Sequence, residues 1–174
     1  MSSDRGWRAA QAFALLLLAA GCESASRTGT TPWEWELPAG FPPPDPPATL
    51  NLTVESVELG RHLFYDPRLS GNATLACSGC HEQSLAFAQN LTVAVGSTGE
   101  LTRRNSQSLG NAVYASTLTW AHPSLDALAD QALIPMFGTD PVEMGITGNE
   151  AVVLDRLAGE PIYQELFSAA YPDR

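Results

Sequence analysis

Lysine is absent from this 174-residue sequence, and its nine basic residues are all arginines. They are scattered from Arg5 to Arg174 without a cluster, while nineteen acidic residues bring the formal net charge to −10 at pH 7. Such a surface would repel a polyanion over most of its area. The composition therefore argues against nucleic-acid binding, and the length predicts one domain with a core of its own.

Patterns typical of β-strands are nearly absent, whereas helix signals recur after residue 50. Thr53 is a candidate N-cap for a helix that ends at Asp66-Pro67, and a short helix is expected to begin near Cys77. Ser124 is predicted to cap a helix over SLDALADQALIPMF. The apolar stripe of that helix is expected to be buried, and it consists of Leu125, Leu128, Ala129, Ala132 and Leu133.

Two more helices are predicted near the C-terminus. Thr147 and Glu150 form a candidate capping box for a helix that closes at Gly159, and Pro161 occupies the first-turn position that proline prefers. Between Gly96 and Tyr114 the chain is rich in Gly, Ser, Thr and Asn, which predicts a long ordered loop of the kind that often lines a site. The expected fold class is all-α with long loops.

The N-terminus has the layout of an export signal over residues 1–21. Arg5 and Arg8 precede an uncharged apolar run from Ala9 to Ala20, which is too short to span a membrane. The run ends in a sequence that resembles a lipoprotein cleavage site before Cys22, so a lipid on that residue would be the only link to a membrane. Cleavage at an Ala-x-Ala-like site is the alternative, and both predict export from the cytoplasm.

Residues 22–50 are predicted to be an extended spacer, because they hold seven prolines and no apolar period. Trp33 and Trp35 are expected to dock on the following domain, since exposed tryptophan pairs are uncommon. The folded domain is accordingly assigned to residues 51–174.

Only three cysteines are present, and two of them stand in Cys77-Ser78-Gly79-Cys80-His81. A structural zinc site would lack ligands, and a redox dithiol normally opens a helix after a strand, of which there is no sign. A plain disulfide would leave the histidine unexplained. Covalent haem attachment uses all three residues, with thioether bonds from Cys77 and Cys80 and with His81 as axial ligand to the iron.

The other axial position separates an electron carrier from an enzyme. A carrier fills it with Met or His, whereas an enzyme leaves it accessible. The candidates are His62, His122, Met136 and Met144, and none has a spacing that compels ligation. Gln131 and Glu143 suit peroxide chemistry, because cleavage of the O–O bond needs a carboxylate that accepts and returns a proton and an amide that orients the peroxide.

Four ordered blocks carry a family resemblance: 57-VELGRHLFYDPRLSGNATLACSGCH-81, 104-RNSQSLGNAVY-114, 131-QALIPM-136 and 141-PVEMG-145. They resemble the bacterial di-haem cytochrome c peroxidase and MauG family, and most closely its MbnH-type branch, which oxidises a tryptophan on a partner protein. The resemblance implies a cytochrome c-like haem domain that forms the N-terminal half of a di-haem peroxidase.

The resemblance also implies roles for single residues. Cys77, Cys80 and His81 would hold the haem that meets peroxide, with Glu143 as distal acid and base and Gln131 as its helper. Asn105 stands where the family has a ligand to a Ca²⁺ between the haems. Trp120 stands where the family has the inter-haem tryptophan that relays electrons.

The sequence departs from the family pattern in three respects. A second CxxCH is absent, so the chain is expected to be a fragment or a degenerate half. The family's Trp-Asp-Gly-Arg is here Trp120-Ala-His-Pro123, and the interval from Gln131 to Glu143 is two residues longer than expected. Histidine is absent between Glu82 and Ala121, where reductively activated relatives have a capping ligand, and this favours an open, MauG-like site.

These observations predict an exported c-type haem oxidoreductase that reduces H₂O₂. Electrons would come through a second haem from a small cytochrome c, a copper protein or a tryptophan of a partner protein. The alternatives are a mono-haem electron-transfer protein and a CxxC disulfide domain without haem.

Overall fold

The computed structural model describes residues 29–47, 50, 52–120, 124–125 and 127–174. The predicted signal sequence, Cys22 and His122 lie outside the described residues. Five helices are present in the described part, and short 3₁₀ turns lie at Pro67–Leu69, Gln83–Leu85 and Ala112–Tyr114. The helices are α1 (Val54–Tyr65), α2 (Cys77–Cys80), α3 (Leu128–Phe137), α4 (Glu150–Ala158) and α5 (Pro161–Ala170).

The all-α prediction is confirmed, since the described residues form isolated β-bridges but no strand. None of the described helices combines the length and the apolar character that a membrane span requires.

Helix α1 begins and ends where its sequence predicts. The Thr53 hydroxyl accepts a hydrogen bond from the Ser56 N–H at 3.1 Å, and the Ser56 hydroxyl accepts one from the Thr53 N–H at 2.9 Å. This reciprocal box satisfies two donors that a helix start leaves unpaired. After Tyr65 the backbone turns extended at Asp66, because the next residue is Pro67.

The hydrophobic core lies where α1, α4 and α5 meet the segment that follows α3. Its buried members are Leu59, Met144, Ile146, Val153, Leu157, Tyr163 and Ala170. Cys77 and Met136 pack against this cluster from the side of α2 and α3. The start of the CxxCH segment is therefore packed against the core through Cys77.

Helix α3 differs from its prediction in two ways. It begins at Leu128 with Ala127 as N-cap, and not after Ser124. The carbonyl of Leu125 accepts a hydrogen bond from the Leu118 N–H, so this part of the chain forms a loop instead of the first helical turn. Its apolar stripe is not buried in the core, and Leu133 is 51% exposed. Leu128 and Ala132 instead face a cavity.

Helix α4 ends before Gly159 as predicted, but it begins at Glu150, two residues later than a cap at Thr147 predicts, and the predicted capping box is wrong. The N-cap is Asn149, whose side chain makes no capping hydrogen bond. The Thr147 hydroxyl donates to the carbonyl of Phe137, and the Glu150 carboxylate accepts from the Gly148 N–H. Gly148 has a φ of +82°, so the chain turns before the helix in a way that prevents the box. Pro161 opens α5 as predicted.

The described part of the spacer, residues 29–47, contacts the domain in two places. Pro32 forms a bridge with Thr53, and the Thr31 N–H donates to the Glu55 carboxylate at 2.9 Å. Farther along, the Tyr114 hydroxyl donates to the Pro42 carbonyl at 2.8 Å. Trp33 is partly buried and Trp35 is 41% exposed, so only the first tryptophan has the docked character that was expected.

Candidate functional site

A cavity of about 250 Å³ lies between α2, α3 and the long loop. Most of its wall is apolar. Five of the predicted site residues border it together: Cys77, Cys80, His81, Gln131 and Glu143. Its apolar lining includes Phe64, Leu75, Val95, Leu109, Leu128, Ala132, Pro135, Met136 and Met144.

The two cysteines come from a single helical turn. Helix α2 spans only Cys77–Cys80, so one turn brings both thiols to the cavity. Neither sulfur is in a disulfide. Burial raises the pKa of both thiols, and the nearby charge of Glu143 raises that of Cys80 further. Two free and neutral thiols therefore face the cavity.

His81 follows as the C-cap of α2, and its ring orientation is set by one contact. The Nδ1 atom lies 2.9 Å from the carbonyl oxygen of Phe87. A carbonyl can only accept, so in the neutral ring Nδ1 carries the proton and Nε2 has the free lone pair. This is the usual arrangement of a metal-binding histidine, in which the second nitrogen is fixed by a backbone acceptor.

Glu143 follows α3 after a turn that contains the cis bond between Asp140 and Pro141. Its side chain is half-buried. Burial raises the pKa of this carboxyl above its ordinary value, and the charge of His81 lowers it by a smaller amount. A raised pKa makes the protonated form of this carboxyl more accessible, which suits a group that accepts and returns a proton.

The backbone of Glu143 is held by the long loop. The Ser97 N–H donates to the Glu143 carbonyl at 2.7 Å, and the Val142 N–H donates to the Glu100 carboxylate at 3.0 Å. A Cβ atom at Gly96 would overlap the carbonyl oxygen of Val142. Glycine is therefore required for this close approach.

The cavity suits a haem by the chemistry of its donors. Two thiols spaced by one helical turn, an imidazole with a free Nε2 and an apolar wall are what a covalently attached porphyrin needs. Within the described residues, no group of three or more His, Cys, Asp or Glu side chains is arranged to hold a bare metal ion.

Two of the sixth-ligand candidates border the cavity as well. Met144 is buried and Met136 is partly buried, and both line the cavity. His62 lies on α1, 3.3 Å from the Glu58 carboxylate, and it is not among the described residues that line the cavity.

Trp120 and Asn105 are not among the described residues that line the cavity. Trp120 is 50% exposed and has the Arg104 guanidinium 5.2 Å from its ring centre. The Asn105 amide nitrogen donates to the carbonyls of Gln89 and Leu91, so this side chain braces the loop.

Sequence reasoning missed Phe64 and Leu109, which line the cavity from α1 and the long loop. Phe64 lies in the first family block and Leu109 in the second, which was the available signal. Their side chains carry no chemistry of their own, so only the tertiary contacts identify them.

Comparison with known proteins identifies the family of the chain. A family model described as di-haem cytochrome c peroxidase matches residues 54–174. The methylamine utilization protein MauG of Methylorubrum extorquens is 34% identical over 120 residues, which are 69% of this chain and 33% of the relative. The cytochrome c551 peroxidase of Pseudomonas aeruginosa is 36% identical over 121 residues, which are 70% of this chain and 34% of the relative.

A solved structure of a MauG-like protein associated with microbial copper homeostasis is 46% identical and superposes with a TM-score of 0.78. The match covers 82% of this chain and 41% of that protein. The chain thus spans about a third of the length of these two curated relatives. By sequence and by fold, the chain belongs to the di-haem cytochrome c peroxidase and MauG family.

Proposed function

We propose that this chain is the haem domain at which a peroxide-dependent oxidoreductase reduces H₂O₂. The observation that carries the proposal is the convergence of Cys77, Cys80, His81, Gln131 and Glu143 on one apolar cavity. These five residues come from three separate segments of the chain. The thiols and imidazole suit cofactor attachment, and the carboxyl and amide suit proton handling.

Three of these residues would hold the cofactor. The sulfurs of Cys77 and Cys80 would hold a haem c through thioether bonds, and Nε2 of His81 would bind its iron. When bound, this group supplies a redox centre that takes up the oxidising equivalents of peroxide. The Phe87 carbonyl keeps the imidazole in the tautomer that ligation requires.

Glu143 and Gln131 provide the acid and base chemistry. The Glu143 carboxylate accepts a proton from one peroxide oxygen and returns it to the oxygen that leaves as water. Gln131 is uncharged at every working pH, so its amide can orient the peroxide without competing for the proton. The apolar wall keeps bulk water from bypassing this exchange.

The remaining functional proposals concern the whole protein. The electrons come through a second haem from a small cytochrome, a copper protein or a tryptophan of a partner, and the link of one relative to copper homeostasis supports a copper-related partner. Export to the periplasm, an anchor on Cys22, Trp120 as an electron relay and a Ca²⁺ ligand at Asn105 are parts of the same proposal. The division of the chain into an export signal (1–21), a spacer (22–50) and a haem domain (51–174) is also part of this proposal.

Covalent haem staining on a denaturing gel tests the proposal. The protein produced with a haem-attachment system is expected to stain and to consume H₂O₂, whereas the double variant Cys77→Ala, Cys80→Ala is expected to lose the stain. Ser78→Ala is the matched control, because it changes the same helical turn without removing a thiol. Absence of covalent haem from the unmodified protein would refute the proposal.

A mono-haem electron carrier is the second candidate, and the positions of Met136 and Met144 in the cavity wall favour it. A ferric protein with a methionine-to-iron charge-transfer band and no peroxide consumption would select the carrier. Loss of that band in Met136→Leu or Met144→Leu would identify the ligand.

A further inference from the structure

An aromatic contact leads from the haem cavity to the surface at the end of α1. Phe64 lines the cavity, and its ring centre lies 5.1 Å from that of Tyr65 in an edge-on arrangement. Tyr65 is the last residue of α1 and is 45% exposed. One side chain therefore separates the cavity from an accessible phenol.

The contact is built onto the segment that presents His81. Phe64 also lies 6.1 Å from the ring of Phe87, whose carbonyl accepts from His81. The Tyr65 hydroxyl donates to the Gln83 side-chain oxygen at 3.1 Å. Gln83 and Phe87, which contact Tyr65 and Phe64, thus lie two and six positions after His81 in the chain.

Tyr65 also borders a second cleft, of about 460 Å³, with Arg61, His62 and Ile162 among its lining residues. A small reductant can therefore reach the phenol without entering the haem cavity. Among the described residues, Phe64 is the Phe, Tyr or Trp side chain in the wall of the haem cavity, and its ring contacts the exposed ring of Tyr65.

We propose that Tyr65 is a redox relay that passes electrons from a small organic reductant, of the phenol or enediol class, to the haem site. This inference rests on the proposed function, because H₂O₂ is the oxidant. Reduction of H₂O₂ to two water molecules takes two electrons and two protons. Tyr65 gives one electron to the haem site and its phenolic proton to solvent, and it becomes a neutral phenoxyl radical.

The reductant in the second cleft then returns one electron to Tyr65, and water returns the proton. A second pass supplies the second electron. The hydrogen bond to Gln83 orients the phenol while leaving the proton free to depart, because an amide oxygen is too weak a base to keep it.

The test is electron paramagnetic resonance of the haem-loaded protein, frozen after mixing with H₂O₂ in the absence of reductant. Ring-deuterated tyrosine identifies a tyrosyl signal, and peptide mass spectrometry locates oxidised tyrosine. Tyr65→Phe keeps the ring contact and removes only the ionisable hydroxyl. Tyr171→Phe is the matched control, since Tyr171 is 37% exposed and its ring contacts Arg174 rather than the cavity.

Loss of the tyrosyl signal and of the oxidised peptide in Tyr65→Phe, with both retained in Tyr171→Phe, is the expected result. Peroxide consumption with an unchanged signal in Tyr65→Phe overturns the relay and leaves the proposed function standing. Equal loss in both variants also overturns it. A haem-loaded protein that consumes no peroxide refutes the proposed function and the relay together.

Discussion

At the scale of single residues, the half-buried Glu143 carboxyl connects local environment to chemistry. Burial destabilises its charged form, so its pKa lies above the ordinary value of 4.5. A base in proton transfer must be ionised to accept, so peroxide turnover is expected to fall as the pH drops through this raised pKa. The midpoint of this fall in turnover should accordingly lie above pH 4.5.

Glu143→Gln removes the proton acceptor while nearly preserving the side-chain volume. We expect peroxide consumption by the haem-loaded protein to fall on the order of 100- to 10,000-fold, with haem content unchanged. Glu165→Gln on the exposed face of α5 is the control and should retain full turnover. A Glu143→Gln variant with normal turnover and the same acid limb would exclude Glu143 as the proton carrier.

At the scale of structural elements, the loop that begins near Val95 positions the Glu143 backbone. At Gly96 the backbone of this loop lies against the backbone of Val142 and Glu143. A Cβ atom at Gly96 would overlap the Val142 carbonyl oxygen and lie 3.2 Å from the Glu143 Cα. Gly60, in contrast, is an exposed position in the middle of α1 where a Cβ atom would meet nothing within 4 Å.

The two glycines should therefore respond oppositely to alanine. Gly96→Ala is expected to lower the free energy of unfolding by about 1–3 kcal/mol through overpacking. Gly60→Ala is expected to raise it by about 0.5–1 kcal/mol, because alanine loses less backbone entropy in a helix. Urea unfolding measures both, and destabilisation by Gly60→Ala to the same extent would contradict the contrast.

At the scale of the whole molecule, the end of α1 is joined to α5 by a buried link across 97 positions of the chain. The Tyr163 hydroxyl donates to the Asp66 carboxylate at 2.7 Å, and the Arg68 guanidinium pairs with the same carboxylate. Burial raises the pKa of Asp66, but the hydrogen bonds from Arg68 and Tyr163 outweigh it and hold the pKa below 3.8.

This link makes stability depend on acid in a defined window. A lowered carboxyl pKa contributes stability that is fully present above the unfolded-state value of 3.8 and is lost as the pH falls through the folded-state value. Tyr163→Phe should cost about 1.5–3 kcal/mol of unfolding free energy at neutral pH, because it removes a hydrogen bond to a charged group. It should also reduce the loss of stability below pH 3.8.

Urea unfolding at neutral and acidic pH measures both effects. Tyr171→Phe, at an exposed phenol, should change the unfolding free energy by less than about 0.5 kcal/mol. Equal destabilisation at every pH would show that Tyr163 does not act through the ionised Asp66.

Local signals in the sequence were sufficient for the helices whose ends depend on neighbours in the chain. The capping residue at Thr53, the prolines at 67 and 161 and the turn of Cys77–Cys80 act through contacts within four residues, so they predict α1, α2 and the start of α5. The spacing of the CxxCH motif likewise determines that two thiols and an imidazole are presented together.

Tertiary structure decided what depends on groups far apart in the chain. The start of α3 moved to Leu128 because Leu125 pairs with Leu118, and the stripe of α3 faces a cavity instead of the core. The meeting of Glu143 with the CxxCH segment and the exit from Phe64 to Tyr65 also required the folded chain. Capping and motif spacing act over a few residues, whereas a cavity exists only once distant segments have packed around it.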